Sequence, residues 1–201
     1  MTDALIIVDY QNDFISSDGR VARRLGADKL WSSQAIAGKL QELIDKWHER
    51  GKPVLFLVSD YSLERYDEPL RSARAKNAYG DSAKPGTWGH GLYQLTPEPD
   101  EQFVVKSFFD GFYDSNLQET LVKVGAKRVY LCGINTDVCV FHTAIGAMIR
   151  GYETFVIEDA TETISPHKQV FLDYLKTVVG VQLISSKDRS LSLTTSAFSG
   201  T

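Results

Sequence analysis

The sequence has little cysteine, little histidine and no surplus of positive charge. Two cysteines among 201 residues are too few for a disulfide framework, so a reduced, cytoplasmic location is expected. A net charge of −4 provides no basic surface for nucleic acid. No apolar run approaches the roughly 20 residues that are needed to span a bilayer, so no membrane partner is expected.

The rest of the composition is that of an ordinary globular protein. Hydrophobic residues make up 43% and charged residues 24% of the chain. We expect a single domain over residues 1–201, because a chain of this length can bury a sufficient core. The N-terminus enters an apolar run without a basic segment before it, so no secretory signal is expected. The Ser- and Thr-rich segment 185–201 is expected to be a polar surface extension.

Short apolar runs alternate with amphipathic segments along the chain. Runs rich in β-branched residues predict buried strands at 4–8, 54–58, 103–106, 128–132, 154–158 and 181–184. Apolar spacings of three and four predict helices at 28–50, at 116–124, from after Gly133 to Arg150, and at 167–178. Strands that are apolar throughout and separated by helices predict an α/β fold, with a parallel sheet covered on both faces.

Chemically active residues follow several of the predicted strands. In parallel sheets, ligands bind beyond the carboxyl ends of the strands. Asp9, Asp60 and Lys106 occupy such positions, and the segment 133–139 follows the fourth strand. An acid, a base and a thiol are therefore expected at one edge of the sheet. The long irregular segment 59–101 is typical of a functional lid or binding loop.

Cys139 lies in a segment that is suited to starting a helix. Backbone N–H groups and the helix dipole there would lower the thiol pKa from its free value of ~8.5 and could bind an oxyanion. The residues alone leave open a second interpretation, in which Cys139 is a small buried hydrophobe. Cys132, inside an apolar strand, is expected to be a structural, inert thiol.

Asp9 and Lys106 could complete an active site around that thiol. Asp9 could accept the thiol proton and later return it to a leaving amine. Lys106 could hold the carboxylate in place and stabilise a thiolate. Alternatively, Asp9 caps the following turn and Lys106 extends its charge from a strand end to solvent.

These residues stand in motifs that resemble the isochorismatase-like hydrolase superfamily, which includes nicotinamidases, N-carbamoylsarcosine amidase and ureide- or biuret-type amidohydrolases. The motifs are Val-Asp9-Tyr-Gln-Asn-Asp-Phe, Lys106 at a strand end, and Gly133-Ile-Asn-Thr-Asp-Val-Cys139-Val. The resemblance implies a three-layer αβα sandwich with a mainly parallel six-stranded sheet. It further implies a catalytic triad of Asp9, Lys106 and Cys139, and an enzyme that needs no cofactor.

The resemblance also implies an oxyanion hole beside the thiol. The peptide bond between Ile134 and Asn135 would be cis, which turns the amide of Asn135 toward the substrate. The amide of Cys139 would supply the second donor.

Two features of the sequence narrow the expected chemistry. Metal-binding nicotinamidases carry an Asp-x-His pair after the second strand. Here Asp60 matches the aspartate, but Ser62 stands where the histidine should be, and His90 is the only histidine of the long loop, so no histidine-rich metal site is expected. Isochorismatases that cleave a vinyl ether typically lack the cysteine, so Cys139 favours cleavage of an amide, carbamoyl or ureide C–N bond through a thioester. Two alternatives stay open: an ether hydrolase that uses Asp9 as the acid, and a non-catalytic oligomeric binding protein of the same fold.

Aromatic residues are the candidates for substrate binding. Phe14, Trp88 and Phe112 are predicted to line the substrate pocket, with Phe109 and Tyr113 as further candidates. For Trp88 a local hydrophobic anchor is an equal alternative. The expected partners are a small-molecule substrate and, by the resemblance, further copies of the chain in a dimer or tetramer.

Overall fold

Six strands form one parallel sheet in the order β3-β2-β1-β4-β5-β6. The computed structural model describes residues 2–188 and Leu191. The strands are β1 (Thr2–Val8), β2 (Val54–Ser59), β3 (Gln102–Lys106), β4 (Ala126–Ile134), β5 (Glu153–Glu162) and β6 (Gln182–Ile184). The predicted α/β fold with a six-stranded parallel sheet is confirmed.

Helices cover both faces of this sheet. The α-helices are α1 (Asn12–Ile15), α2 (Arg20–Leu25), α3 (Trp31–Ala35), α4 (Ala37–His48), α5 (Leu70–Lys76), α6 (Leu117–Lys123), α7 (Phe141–Ile149) and α8 (Lys168–Tyr174). Short 3₁₀ turns occur at Ala27–Lys29, Leu63–Arg65 and Trp88–His90, and π-helical turns at Thr136–Val140 and Leu175–Val179. None of the helices in the described part of the chain is long and apolar enough to cross a membrane.

Each face of the sheet contributes side chains to its own apolar cluster. Alternate residues of β1 illustrate the division, because Leu5 and Ile7 join the cluster that α4 covers, whereas Ile6 and Val8 join the cluster that α6 and α7 cover. Both sets are fully buried, as expected for a strand that packs on both sides. The apolar runs of the sequence therefore fill two layers of core between three layers of secondary structure.

The order of the strands reverses between β1 and β4. From β1 the chain proceeds outward through β2 to β3, and it then returns to place β4 on the other side of β1. Crossovers diverge at such a position and leave a crevice beyond the carboxyl ends of the strands. Asp9 follows β1 and the segment with Cys139 follows β4, so both lie at this crevice.

Several predicted helix boundaries were wrong. The helix predicted at 28–50 is divided into a 3₁₀ turn, α3 and α4, and the carbonyl of Ser33 near the division accepts a hydrogen bond from the Tyr10 hydroxyl (2.6 Å). The segment 59–101 contains α5, which the sequence did not reveal because most of its residues are polar and exposed. Most of the predicted extension 185–201 lies outside the described residues.

Candidate active site

A buried ion pair lies at the centre of the crevice. Nζ of Lys106 is 2.7 Å from Oδ2 of Asp9, and the two residues are 0% and 2% exposed. Lys106 is the last residue of β3 and Asp9 directly follows β1, so parallel strands bring them to the same edge. Although burial disfavours the charged ammonium, the adjacent Asp9 carboxylate raises the pKa of Lys106 above its ordinary value. The lysine is therefore held in its charged form.

The hydroxyl groups of Ser59, the last residue of β2, and of Tyr61, two residues further on, connect this pair to its surroundings. Ser59 donates to Oδ1 of Asp9 (2.8 Å) and accepts from Nζ of Lys106 (2.8 Å). The Tyr61 hydroxyl lies 3.3 Å from the same Nζ and 3.5 Å from Sγ of Cys139. Burial raises the pKa of Tyr61 well above its ordinary value, so the phenol stays protonated and can donate. Neither residue was among the predicted site residues.

Cys139 brings its sulfur against the same ammonium group. Its Sγ lies 3.5 Å from Nζ of Lys106, and the residue is 5% exposed. Cys139 lies within the π-helical turn Thr136–Val140 that joins β4 to α7, rather than in the first turn of a regular α-helix. The three residues predicted to be catalytic therefore meet in one cluster.

The environment of Cys139 contradicts the expectation that the pKa of its thiol is lowered. Burial and the neighbouring Asp9 carboxylate raise the pKa of Cys139 to about 12, and this effect exceeds the lowering by Lys106. The lysine charge is largely compensated by Asp9, so the thiol experiences little net positive field. In the free protein Cys139 is consequently a neutral thiol, and not the thiolate that a helix start would favour. Cys132, fully buried in β4, has its pKa raised by burial alone, as expected for an inert thiol.

This raised pKa makes the stability contribution of Cys139 depend on pH. The thiol deprotonates near 9 in the unfolded chain but near 12 in the folded protein, so the folded state binds more protons between these values. The free energy of unfolding must then fall as the pH rises, by at most about 1.4 kcal/mol per pH unit. Cys139→Ala lacks this contribution. In urea unfolding at pH 8, 9 and 10, we expect the free energy of the wild type to fall relative to the variant above pH 9, whereas a constant difference would contradict the raised pKa.

The segment between β4 and Cys139 has an unusual backbone. The peptide bond between Ile134 and Asn135 is cis, and the side-chain amide of Asn135 donates to the Tyr79 hydroxyl (3.1 Å). Gly133 has a φ of 105°, and a Cβ atom there would lie 2.2 Å from the carbonyl oxygen of Val8. Only glycine allows β4 to approach the end of β1 this closely, so Gly133 brings the cysteine segment against Asp9.

A cavity of about 110 Å³ opens directly above Cys139. Its lining residues are Asp9, Phe14, Tyr61, Asn77, Tyr79, Phe109, Ile134, Asn135, Val138 and Cys139. The volume is below the ~300–1,000 Å³ of pockets for drug-sized ligands, so the cavity fits a compact molecule. Most of its wall is aromatic or aliphatic, and Asp9, Asn77, Asn135 and Cys139 provide polar groups. A small molecule in the cavity would have its reactive end at the thiol.

The aromatic residues that were predicted to bind substrate separate into two groups. Phe14 and Phe109 line the cavity. Trp88 does not: it is 57% exposed and lines a separate open groove, because Asn12 holds its backbone carbonyl (2.9 Å) and the indole ring stays outside. Phe112 packs in the core beneath, with its ring 6.2 Å from that of Tyr152, and Tyr113 is exposed.

Asp60 does not belong to a group of metal-binding side chains in the structure. Its carboxylate accepts hydrogen bonds from the backbone N–H of Ser62 (3.0 Å) and from the Arg65 guanidinium (3.3 Å). Across residues 2–188 and Leu191, no three His, Cys, Asp or Glu side chains converge in a way that could hold a metal ion. His90 is half-buried, and burial lowers its pKa.

Comparison with known proteins identifies relatives over almost the whole chain. Residues 3–187 match the family model described as the isochorismatase domain. Ureidoacrylate amidohydrolase RutB of Stutzerimonas stutzeri is 27% identical over 194 residues, which cover 88% of this chain and 77% of that protein. The crystal structure of N-carbamoylsarcosine amidase from Thermoplasma acidophilum has a TM-score of 0.76 and 28% identity, covering 94% of this chain and 98% of that one. A pyrazinamidase/nicotinamidase structure from Streptococcus mutans has a TM-score of 0.75 and 25% identity, with 91% and 100% covered.

Proposed function

Because the chain belongs to the isochorismatase family, we propose that it is a hydrolase of the C–N bond in a small amide, carbamoyl or ureide compound, with Cys139 as the nucleophile. Relatives that are named as amidohydrolases or amidases cover most of the chain, which supports a C–N bond as the target. The substrate would occupy the cavity above Cys139. Asp9 and Lys106 would complete a catalytic triad with the cysteine.

The observation that carries this proposal is the position of the sulfur. Cys139 lines the cavity together with Asp9, and its Sγ is also a neighbour of the charged Nζ of Lys106 at 3.5 Å. A cysteine that served only as a core residue would need neither contact. The thiol therefore stands where a carbonyl carbon in the cavity could be attacked, with an acid–base group beside it.

The first chemical step is proposed to form a bond between sulfur and carbon. Asp9 accepts the thiol proton while Sγ attacks the carbonyl carbon, and the carbonyl π electrons move onto oxygen. Burial and the Asp9 carboxylate raise the pKa of the Cys139 thiol, which favours transfer of its proton to Asp9 as the attack proceeds. The backbone N–H groups of Asn135 and Cys139 are proposed to donate to the oxyanion.

The second half of the reaction would restore the thiol. Asp9 returns its proton to the leaving nitrogen, the C–N bond breaks, and ammonia or an amine departs from a thioester on Cys139. Asp9 then takes a proton from water as the water oxygen attacks the thioester carbon. The C–S bond breaks, the acid product departs, and Asp9 returns the proton to the sulfur. Lys106 is proposed to keep the Asp9 carboxyl group oriented, and the Asp9 carboxylate in turn raises the pKa of Lys106 and favours its charged form.

Screening small amides, carbamoyl compounds and ureides for ammonia release tests the reaction class. For each active compound, hydroxylamine should divert the acyl group from the thioester into a hydroxamate. Acid-quenched samples should show a mass increase that peptide mapping assigns to Cys139 and not to Cys132. Ammonia release without hydroxamate or adduct would instead indicate direct attack by water, and would refute the cysteine mechanism.

A further inference from the structure

The side chain of Tyr61 reaches both the ion pair and the thiol. Its hydroxyl lies 3.5 Å from Sγ of Cys139 and 3.3 Å from Nζ of Lys106, and the residue is 2% exposed. Tyr61 also lines the cavity above Cys139. The hydroxyl is therefore within reach of the atom that would attack the substrate.

The three N–H groups of Lys106 already have closer acceptors than the sulfur. Nζ lies 2.7 Å from Oδ2 of Asp9, 2.8 Å from the Ser59 hydroxyl and 2.9 Å from the carbonyl oxygen of Phe108. An ammonium group has three donors and no acceptor. These contacts use all three protons, so Lys106 acts on Sγ of Cys139 through its charge and not through a hydrogen bond.

The same count fixes the direction in which the Tyr61 hydroxyl donates. A protonated ammonium group cannot accept a hydrogen bond, so the phenol proton is not directed at Lys106. In the part of the chain that the structure describes, Sγ of Cys139 is then the acceptor within reach of this proton. Burial raises the pKa of Tyr61 well above its ordinary value and so keeps the proton in place. The contact is long in the free protein and can shorten when the sulfur becomes charged.

The ring of Tyr61 is held in this position from several sides. Its backbone N–H donates to the carbonyl of Ser82 (3.1 Å), and its carbonyl accepts from the N–H of Asp81 (2.9 Å). The buried guanidinium group of Arg74 lies over the ring, with Cζ 4.2 Å from the ring centre. A cation on the face of a phenol draws electron density from the ring, which makes the O–H group a stronger donor. A fixed and polarised donor therefore lies beside the sulfur.

We propose that Tyr61 is a further catalytic residue, whose O–H donates a hydrogen bond to Sγ of Cys139 whenever negative charge develops there. The inference rests on the proposed function and adds a group that touches the nucleophile. While Asp9 takes the thiol proton, the phenol stabilises the electron pair on sulfur that attacks the carbonyl carbon. When the C–S bond of the thioester breaks, the phenol stabilises the departing sulfur until Asp9 returns the proton. Tyr61 keeps its own proton in both steps.

Alkylation of Cys139 tests this contact without a substrate. In a Cys132→Ala background Cys139 is the one remaining cysteine, and its rate of reaction with iodoacetamide rises with the thiolate character of the sulfur. Tyr61→Phe removes the hydroxyl and keeps the ring. We expect its alkylation at pH 8 to be about ten-fold slower than in the background protein, because the thiolate loses a donor. For any active compound of the screen, kcat should fall by a similar factor, with KM changed by less than about two-fold.

Tyr66→Phe provides the matched control. Tyr66 is also a buried phenol beside Arg74, whose Cζ is 5.4 Å from its ring centre, but it does not line the cavity. Its hydroxyl donates to the carbonyl of Ser107. This variant should be alkylated at the rate of the background protein, and thermal unfolding verifies that both variants are folded.

An unchanged alkylation rate in Tyr61→Phe would overturn the proposal even if turnover fell, because the hydroxyl would then not act on the sulfur. An equal loss in Tyr66→Phe would indicate a general disturbance of packing and would overturn it as well. Slower alkylation of Tyr61→Phe alone, together with no ammonia release by the wild type from any compound, would count against the proposed hydrolysis but support the hydrogen bond to sulfur.

Discussion

Replacement of Cys139 by alanine is expected to lower the rate of ammonia release by about 10⁴-fold or more, because no other group near the cavity can form the thioester. The fold should persist. Alanine removes only the sulfur atom, whose contacts with Lys106 and Tyr61 are long, both 3.5 Å. The free energy of unfolding at pH 7 should therefore stay within about 1 kcal/mol of the wild type. Steady-state ammonia release and urea unfolding measure the two quantities.

Cys132→Ala is the matched control for this variant. Cys132 is also a fully buried thiol, but its Sγ faces the carbonyl of Ile6 inside the sheet (3.8 Å) and does not line the cavity. Its removal should leave turnover nearly unchanged. If Cys139→Ala retained the wild-type rate on the same compound, the nucleophile would be misassigned. An acid-catalysed reaction that depends on Asp9, such as ether hydrolysis, would then be the better explanation.

Lys106→Met should both inactivate and strongly destabilise the protein. The variant leaves the Asp9 carboxylate buried without its cation, which typically costs 3–5 kcal/mol. The hydroxyl of Ser59 and the carbonyl of Phe108 would also lose a donor, at 2.8 and 2.9 Å in the wild type. Urea unfolding at pH 7 should show this decrease in the free energy of unfolding of Lys106→Met relative to the wild type. A fall in activity of about 10²-fold or more should accompany it, because Asp9 would no longer be held as a charged base.

Two further variants distinguish the effect on stability of leaving a buried charge unpaired from the effect of removing a side chain. The double variant Asp9→Asn/Lys106→Met removes both charges, so it should regain much of the stability while remaining inactive. Lys39→Met breaks another ion pair, with Asp159 at 2.8 Å, but those side chains are about one-third exposed. It should cost less than about 1 kcal/mol. A similar small cost for Lys106→Met would show that the Asp9–Lys106 pair is not maintained in a dry interior.

The positions of the reactive residues could be predicted from the sequence because they depend on the sheet alone. Once the apolar runs are assigned to parallel strands, Asp9 and Lys106 must emerge at one edge, and the segment after β4 must emerge beside them. The same rule applied to the end of β2 selected Asp60, the first polar residue of the loop. It passed over Ser59, the last residue of the strand, whose hydroxyl bridges the ion pair.

The walls of the cavity could not be predicted in this way. Tyr61, Asn77 and Tyr79 come from the segment 59–101, whose path depends on individual side-chain contacts instead of a repeating pattern. Asp13 illustrates this dependence: it accepts hydrogen bonds from the backbone N–H of Ala83 (2.7 Å) and of Arg20 (3.1 Å), and so holds the long segment against α2. No periodicity in the sequence records such a contact. Trp88 was predicted to line the substrate pocket because it is an aromatic residue in a long loop. In the structure it lies outside the cavity and is exposed.

The location of Lys106 at the end of an outer strand has a consequence for how the protein would lose its proposed activity on warming. β3 is the outermost strand on its side of the sheet, pairs only with β2 in the strand order, and leaves Phe103 and Val105 partly exposed. Asp9 and Cys139, by contrast, adjoin the two central strands. Fraying of the last pairs between β2 and β3 would withdraw the ammonium group while the interior of the molecule stayed intact. An outer strand of the sheet thus governs the lifetime of the assembled site, and inactivation on warming is expected to precede the cooperative melting of the core.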